Sequence, residues 1–310
     1  MIIDTNYGPW NSDRPLLSAN SKLRKLPGAA ARYRAIGLAM APAGHSGRQM
    51  CPWSTAGCRA ACNGFFSGMN VTRTTRAALV GRARLFHEHR AGFVEKLFRE
   101  LANFAKLCAR SGVIPAVRMN VSTDIVWERI LPELFAEFPR IQFYDYTAAL
   151  PRHRPTTPAN YALSHSWKET TTADDVASII DAGRNLVVPF DSAWIPQRGL
   201  YGALPEALVI TGARAARALR LRCVNGDRHD LRLPAVDGRG VVVALHGKSG
   251  SARVDDATAA GFMLHHAEGA ALRRRMIFRG VVETHRPAAG SIAGVLPTAA
   301  DIGALAGALA

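Results

Sequence analysis

The sequence predicts an α/β fold: a partial, distorted parallel β/α barrel preceded by an irregular, cysteine-rich N-terminal region. Three observations predict it. Short apolar runs of strand length alternate with amphipathic helical runs between about residues 113 and 247. Consecutive strands separated by helices must pair in parallel, because a crossover needs that much chain. The chain offers only five or six such units, fewer than the eight that close a barrel. An open doubly wound sheet is the alternative architecture.

Residues 1–50 are rich in Gly, Pro, Ser and Asn and show little periodicity, apart from one short strand at 33–40. A cysteine loop follows. Helices are expected at 72–89 and 93–110, the second from Phe93, Leu97, Leu101, Phe104 and Leu107 at i, i+3, i+4 spacing. Residues 113–120 form a strand. Residues 122–138 read as a helix capped by Ser122 or Thr123 and kinked or broken at Pro132. Strands at 141–147 and 160–166, a helix at 174–183 closed by Gly183, and strands at 185–191, 221–227 and 239–247 complete the pattern. Asn225-Gly226 suggests a hairpin turn, with 231–234 as its returning strand. Trp127, Phe135, Cys108 and Cys223 fit core packing. The division is one integrated domain plus a tail: 1–71 with the cysteine loop, 72–268 as the half-barrel, and an Ala/Gly-rich 269–310, where RRRMIFRG could add a strand or helix.

The chain carries 39 Lys+Arg against 24 Asp+Glu, a formal charge of +15. This excess admits nucleic acid, a nucleotide or another anionic ligand as partner. It is equally the product of an Arg-rich composition, since no run of five basic residues occurs. The start lacks a basic segment followed by an apolar run, and no stretch is apolar enough to cross a bilayer. A cytoplasmic location is expected, with no membrane partner. Five cysteines, an odd number, argue against a disulfide framework and toward metal or redox chemistry.

Three of the five are Cys51, Cys58 and Cys62, spaced C-x6-C-x3-C among turn-forming residues. Polar flanks of this kind do not suit cysteines that merely fill a core. Two metal sites are compatible with the pattern. Zinc would need a fourth ligand, for which His45 is available. A 4Fe–4S cluster needs only three thiolates and keeps one iron open, and that open iron is where a radical enzyme holds S-adenosylmethionine. Amides of Gly57, Gly64 and Gly68 could donate to cluster sulfurs. Arg59, Arg73 and Arg76 could offset its charge.

Parallel α/β folds place their sites at the carboxyl ends of strands. Reading those ends gives Asn120 as a cofactor-binding candidate, and Asp145, His165 and Lys248 as catalytic ones. Asp145 and His165 would orient or protonate substrate, and Lys248 would meet an anion. Ser122, Thr123 and Asp191 are better read as helix caps. Other motifs are weaker. HGKSG at 246–250 resembles a phosphate loop, but its first glycine position holds Val242. Asp227, His229 and Asp230 could ligate a divalent ion. His87 and His89 point to different helix faces, and the adjacent His265 and His266 carry no pattern.

The stretches NSKL at 20–23, LAMAPAG at 38–44, the CP…GC…C loop and IQFYDYT at 141–147 resemble a family of phage and prophage proteins. Its members carry an N-terminal cysteine cluster ahead of a radical-S-adenosylmethionine-like α/β half-barrel. The resemblance covers roughly residues 18–265. It implies that fold, a host-cytoplasm location, and Cys51, Cys58 and Cys62 as the functional cysteines. It supplies no substrate. Radical S-adenosylmethionine enzymes carry C-x3-C-x2-C, and this chain does not. The expectation is an iron–sulfur protein that modifies an anionic substrate, a nucleotide or nucleic acid, by redox or radical chemistry. The rival is a zinc-stabilised, non-catalytic nucleic-acid-binding protein.

Overall fold

The computed structural model describes residues 14–24, 26–66, 70, 72–191, 194–195, 200–201, 203–210, 219–248, 256–264 and 276–278. Gly68, His265, His266, the last two residues of HGKSG and nearly all of the 269–310 tail lie outside them. The strands are β1 (Leu17–Ser18), β2 (Tyr33–Leu38), β3 (Ile114–Arg118), β4 (Gln142–Thr147), β5 (Tyr161–Ser166) and β6 (Asn185–Phe190). They continue with β7 (Trp194–Ile195), β8 (Leu200–Tyr201), β9 (Ala207–Ile210), β10 (Leu219–Asn225), β11 (Val242–His246) and β12 (Met276–Phe278). The helices are α1 (Ser21–Arg24), α2 (Ala56–Ala60), α3 (Asn63–Phe66), α4 (Arg73–Glu88), α5 (Arg90–Arg110), α6 (Trp127–Ile130), α7 (Glu133–Glu137), α8 (Ala173–Asp181) and α9 (Pro234–Asp237).

Ten strands form one open sheet in the order β1-β2-β3-β4-β5-β6-β11-β10-β9-β12. From β2 to β6 each strand lies beside its predecessor and pairs in parallel. A doubly wound sheet begins at its centre and reverses direction; this one advances one way from β2. β11 then pairs in parallel with both β6 and β10. β9 is antiparallel to β10. Seven neighbouring strands therefore run the same way and share one carboxyl edge.

Both faces are covered. On one, Val117, Phe143, Tyr161 and Leu163 pack against Phe86, Phe93, Leu97, Leu101 and Phe104 of α4 and α5. The same face continues as Leu186, Val188, Val242 and Ala244 under Val176 and Ile179 of α8. On the other, Ala35, Ala116 and Tyr144 meet Leu23, Ala30, Leu231 and Leu233. This second face is thus filled by the N-terminal segment and by the chain linking β10 to β11. The alternation along β3 and β4 that puts Val117 and Phe143 on one side and Ala116 and Tyr144 on the other is the period-2 pattern of a strand buried on both sides.

Local chemistry explains the element ends. Thr72 caps α4 by accepting from Thr75 N, and Thr172 forms a reciprocal capping box with Asp175 at α8. Gly183 turns the chain after α8 at φ 67°. Pro132 does break the 122–138 segment, into α6 and α7. Neither Ser122 nor Thr123 caps it, however. Ser122 Oγ donates to Met40 O and Thr123 Oγ1 to Asn120 Oδ1, so residues 120–126 are a loop and helix begins only at Trp127. The hairpin at Asn225-Gly226 is also absent: β10 lies between β11 and β9, so both its edges are taken and 231–234 has no strand edge to pair with. Gly226 is used for close approach instead, since a Cβ there would lie 2.5 Å from Val243 Cγ1. Residues 231–233 are buried filling rather than a strand.

Candidate functional site

The cysteine loop is sewn to the carboxyl edge of the sheet at two points. Asp124 N donates to Met50 O, and Cys51 Sγ accepts from Ala43 N at 3.3 Å and approaches Ser122 O at 3.8 Å. This ties Cys51 to the loop after β3. Thr55 caps α2, its Oγ1 accepting from Cys58 N and donating to Glu169 Oε2 at 2.6 Å. Gly57 N donates to the other oxygen, Glu169 Oε1, at 2.9 Å. This ties the Cys58 turn to the loop after β5. Cys58 lies on α2 and Cys62 just past its end, between α2 and α3.

Two glycines allow the approach. A Cβ at Gly57 would lie 2.6 Å from Phe262 Cβ, and one at Gly64 would lie 2.5 Å from Ser122 Cβ. Neither position has room for a larger residue without moving the loop off the sheet.

All three thiols are held above their ordinary range. Burial pushes the Cys51 thiol well above its ordinary range, and Asp124, Cys58 and Cys62 push it further. Cys58 rises to about 12, first from burial, then from Cys62, Asp124 and Glu169, with Lys168 opposing. Burial raises Cys62 as well, against hydrogen bonds from the amides of Gly64 and Phe65. Three half-buried thiols on one loop, with Cys51 and Cys58 raised further by neighbouring cysteines, resist ionisation. A bound cation of high charge density is the ordinary way to make such thiolates favourable.

Two charged residues from the sheet edge share this field. Asp124 is 6% exposed; its Oδ2 accepts from Ala148 N, and its Oδ1 stands 3.8 Å from Arg154 Nη1 with no hydrogen bond. Burial raises its pKa despite Arg154 and Lys168. Lys168 is also 6% exposed and donates to Ala148 O at 2.8 Å. Burial lowers its pKa against the pull of Asp124 and Cys58. Sequence reading passed over Asp124 as a site residue, and Lys168 and Glu169 entirely. The signal for the latter pair was WKE immediately past an apolar strand.

Asn120 and Asp145 form a single buried unit. Asp145 Oδ1 accepts from Asn120 N at 2.6 Å, and Oδ2 accepts from Tyr161 Oη at 2.6 Å and from Asn120 Nδ2. Asn120 Oδ1 in turn accepts from Thr123 Oγ1, Ile125 N and Trp127 Nε1. The pair thereby fixes the loop that carries Ser122 and Asp124. Asp145 is fully buried, which raises its carboxyl to about 7 against its hydrogen-bond donors and the charges of Arg118 and Arg154. His165 is buried beneath the same loops, its Nε2 3.1 Å from Arg184 Nη1. Burial, Arg184 and Arg154 drop its pKa to about 3, so its ring is neutral.

The remaining candidates lie elsewhere. Arg59 is exposed and latches the loop by donating to Ser54 O at 2.7 Å; Arg73 is exposed at the start of α4. Arg76 stacks on Phe65 and donates to Phe65 O. The cation acting on Cys58 is thus Lys168 rather than a loop arginine. Gly64 N does reach Cys62, whereas Gly57 N is spent on Glu169. His45 lies flat on Phe65, ring centroids 3.9 Å apart. Lys248 is bound to Asp227. Asp227, His229 and Asp230 do not converge: Asp227 pairs with Lys22, Lys248 and His246, Asp230 with Arg118, and His229 faces Arg232. Among the described residues, no group of three or more His, Cys, Asp or Glu is arranged to hold a metal ion, and no helix is long and apolar enough to cross a membrane.

Residues 14–266, which contain the whole of this site, match the family model described as Gene product 88. No curated protein matches the chain, and no solved structure does.

Proposed function

The chain belongs to the Gene product 88 family, a phage protein family, and from that premise we propose that it is an iron–sulfur protein. Cys51, Cys58 and Cys62 would hold a 4Fe–4S cluster over the carboxyl edge of a partial β/α barrel, where an anionic substrate, a nucleotide or nucleic acid, is modified. The observation that carries this is three half-buried cysteines on one loop that is sewn to the loops after β3 and β5.

The donor set favours a cluster over a single ion. A single zinc needs a fourth ligand beside the three thiolates, and His45, the candidate for it, lies stacked on Phe65. A cubane needs only three thiolates, each on a different iron, which is the number the loop supplies. When bound, the cluster would supply electron transfer, and its iron without a cysteine could take a small ligand such as S-adenosylmethionine.

The chain's own residues do the rest. Lys168 places a positive charge beside Cys58 and offsets thiolate charge. Asp124, with one carboxylate oxygen unbonded, acts on Cys51 and Cys58 and is our candidate to take or give a proton there. Asp145 acts through Asn120, holding the Asp124 loop in place. His165, neutral and buried, supports the wall behind it. Trp53 of the loop packs with Val126 and Ala149 into an apolar patch that anchors it to the sheet edge.

Anaerobic purification with a visible spectrum and iron, sulfide and zinc analysis tests the reading. A brown protein with about four irons and four sulfides per chain, lost in a Cys51, Cys58 and Cys62 to Ser triple variant, supports it. Stoichiometric zinc in a colourless protein would replace it with the zinc-stapled nucleic-acid-binding alternative.

A further inference from the structure

On the same carboxyl edge, beyond β6, lies a second cluster that the thiol site does not use. Asp227 follows β10, and His246 and Lys248 end and follow β11. Lys22 arrives from α1. Lys22 Nζ donates to Asp227 Oδ1 at 2.7 Å, Lys248 Nζ donates to the same oxygen, and His246 N and Nδ1 lie 2.9 and 2.6 Å from Oδ2. Two ammonium groups from positions 22 and 248 are therefore held against one carboxylate oxygen.

Like charges gathered this closely repel, and one carboxylate cancels only one of them. Burial and the neighbouring Lys22 ammonium bring Lys248 down to about 8. Each ammonium spends one of its three hydrogens on Asp227 and has two more to donate. The side chains of Lys22 and Lys248 are 37% and 27% exposed, while Asp227 is 15% exposed beneath them. The carboxylate is the floor, and the open donors sit above it.

We infer that Lys22 and Lys248, braced by Asp227 and His246, form a subsite for a phosphate group of a small anionic substrate. A dianionic phosphate would satisfy the free ammonium hydrogens and relieve the repulsion between the two lysines. The charge is focused on one point, which suits a terminal phosphate rather than the repeated charges of a polymer backbone. β6 separates β11 from β5, so this subsite stands about 10 Å along the edge from β5, which Lys168 follows. That spacing would let a nucleotide reach from a phosphate anchor to the thiol loop. The inference deepens the proposed function, resting on its anionic substrate but not on its metal.

Calorimetry of the full chain with pyrophosphate as probe, in protein without metal, separates the two. The expected result is measurable binding that falls about tenfold in Lys22→Met and again in Lys248→Met. Circular dichroism and melting of each variant monitor the fold. Acetylation of Lys22 and Lys248 in unaltered protein, read by mass spectrometry, should be slowed by pyrophosphate. Failure of pyrophosphate to bind, unchanged binding in both variants, or acetylation indifferent to pyrophosphate would overturn the subsite. So would binding of a single-stranded oligonucleotide lacking terminal phosphate that pyrophosphate does not displace. The iron and sulfide analysis is unaffected by any of these outcomes, so loss of one reading is not loss of the other.

Discussion

Glu169 is the clasp that keeps Cys58 on the sheet, and its removal should free the loop without unfolding the protein. Its carboxylate accepts from Thr55 Oγ1 at 2.6 Å and from Gly57 N at 2.9 Å, one bond to each oxygen. Charge-assisted bonds of this kind are worth roughly 1.5–3 kcal/mol each when dry. The residue is partly exposed, and water competes for both donors once the clasp opens. A net of about 2 kcal/mol for the pair is therefore the working figure. If opening of this turn limits access to Cys58, Glu169→Ala should raise its alkylation rate by about 30-fold, since 1.4 kcal/mol is tenfold. Iodoacetamide labelling of the metal-free protein at fixed pH, with peptide mass spectrometry, reads Cys58 separately from the buried Cys108. Glu169→Gln keeps one acceptor and should fall between the two, about fivefold above the parent. The urea midpoint should fall in step with that loss of about 2 kcal/mol, while the slope stays unchanged because the core clusters do not include this contact. Cys58 labelling in Glu169→Ala within about twofold of the parent would show that the turn is held by something else.

Other outcomes follow from the same geometry. Gly57→Ala forces a Cβ to 2.6 Å from Phe262 Cβ, and should cost about 1–3 kcal/mol in urea unfolding while also loosening Cys58. Asn120→Ala orphans Trp127 Nε1 and Ile125 N and should cost about 3 kcal/mol by the same assay. Asp145 and His165 should give opposite pH dependences. The Asp145 carboxyl is raised to about 7 from an unfolded value near 4, so its stabilisation is full below pH ~4 and is lost as pH rises to 7. His165 is lowered to about 3 from ~6.5, so its contribution is present above pH ~6.5 and is lost as pH falls. Their slopes oppose between pH ~4 and ~6.5. Asp145→Asn should therefore make stability rise with pH in that window, and His165→Gln should make it fall; urea midpoints at pH 4.5, 5.5 and 6.5 check both.

The elements were legible because their signals are local. The stripe through Phe93, Leu97, Leu101 and Phe104 needs only the helical period, and Thr72 and Thr172 cap what their neighbours begin. Strand order was not legible, because it depends on which edges meet after the helices fold over. Hence the hairpin at Asn225-Gly226 seemed natural in sequence, whereas β10 pairs in parallel with β11 and leaves residues 226–237 to fill the sheet's second face. Loop 120–126 was misread for a related reason. Ser122 and Thr123 have the chemistry of caps, but their hydroxyls are claimed by Met40 O and by Asn120, one from a distant segment and one from the preceding turn. The cysteines stood out by density alone. Asp124 and Lys168 did not, since a strand-end Asp and a loop Lys are common; burial is what sets them apart, and burial is a property of the fold.

The arrangement also explains how so polar a loop is held against the sheet edge. A loop carrying Ser54, Thr55, Gly57 and Asn63 would ordinarily stay in water. Here its backbone and hydroxyls are met by groups the sheet edge already provides. Asp124 N takes Met50 O, Ser122 Oγ takes Met40 O, and Glu169 takes Thr55 and Gly57. Each of these partners stands just past β3 or β5, and those strands are neighbours but one, about 10 Å apart. The loop is therefore stapled across β4, with its sulfurs between the staples. Asp145 reaches the same point from within β4, through Asn120. A change at Asp145 that leaves the core intact would loosen Ser122 and Asp124 together, and with them the Cys51 end of the loop, while Cys58 stays clasped by Glu169. Alkylation of Cys51 and Cys58 in Asp145→Asn separates the two ends. Faster labelling at Cys51 with Cys58 unchanged is the expected pattern, and equal acceleration at both would mean that the loop moves as one piece and the two staples are not independent.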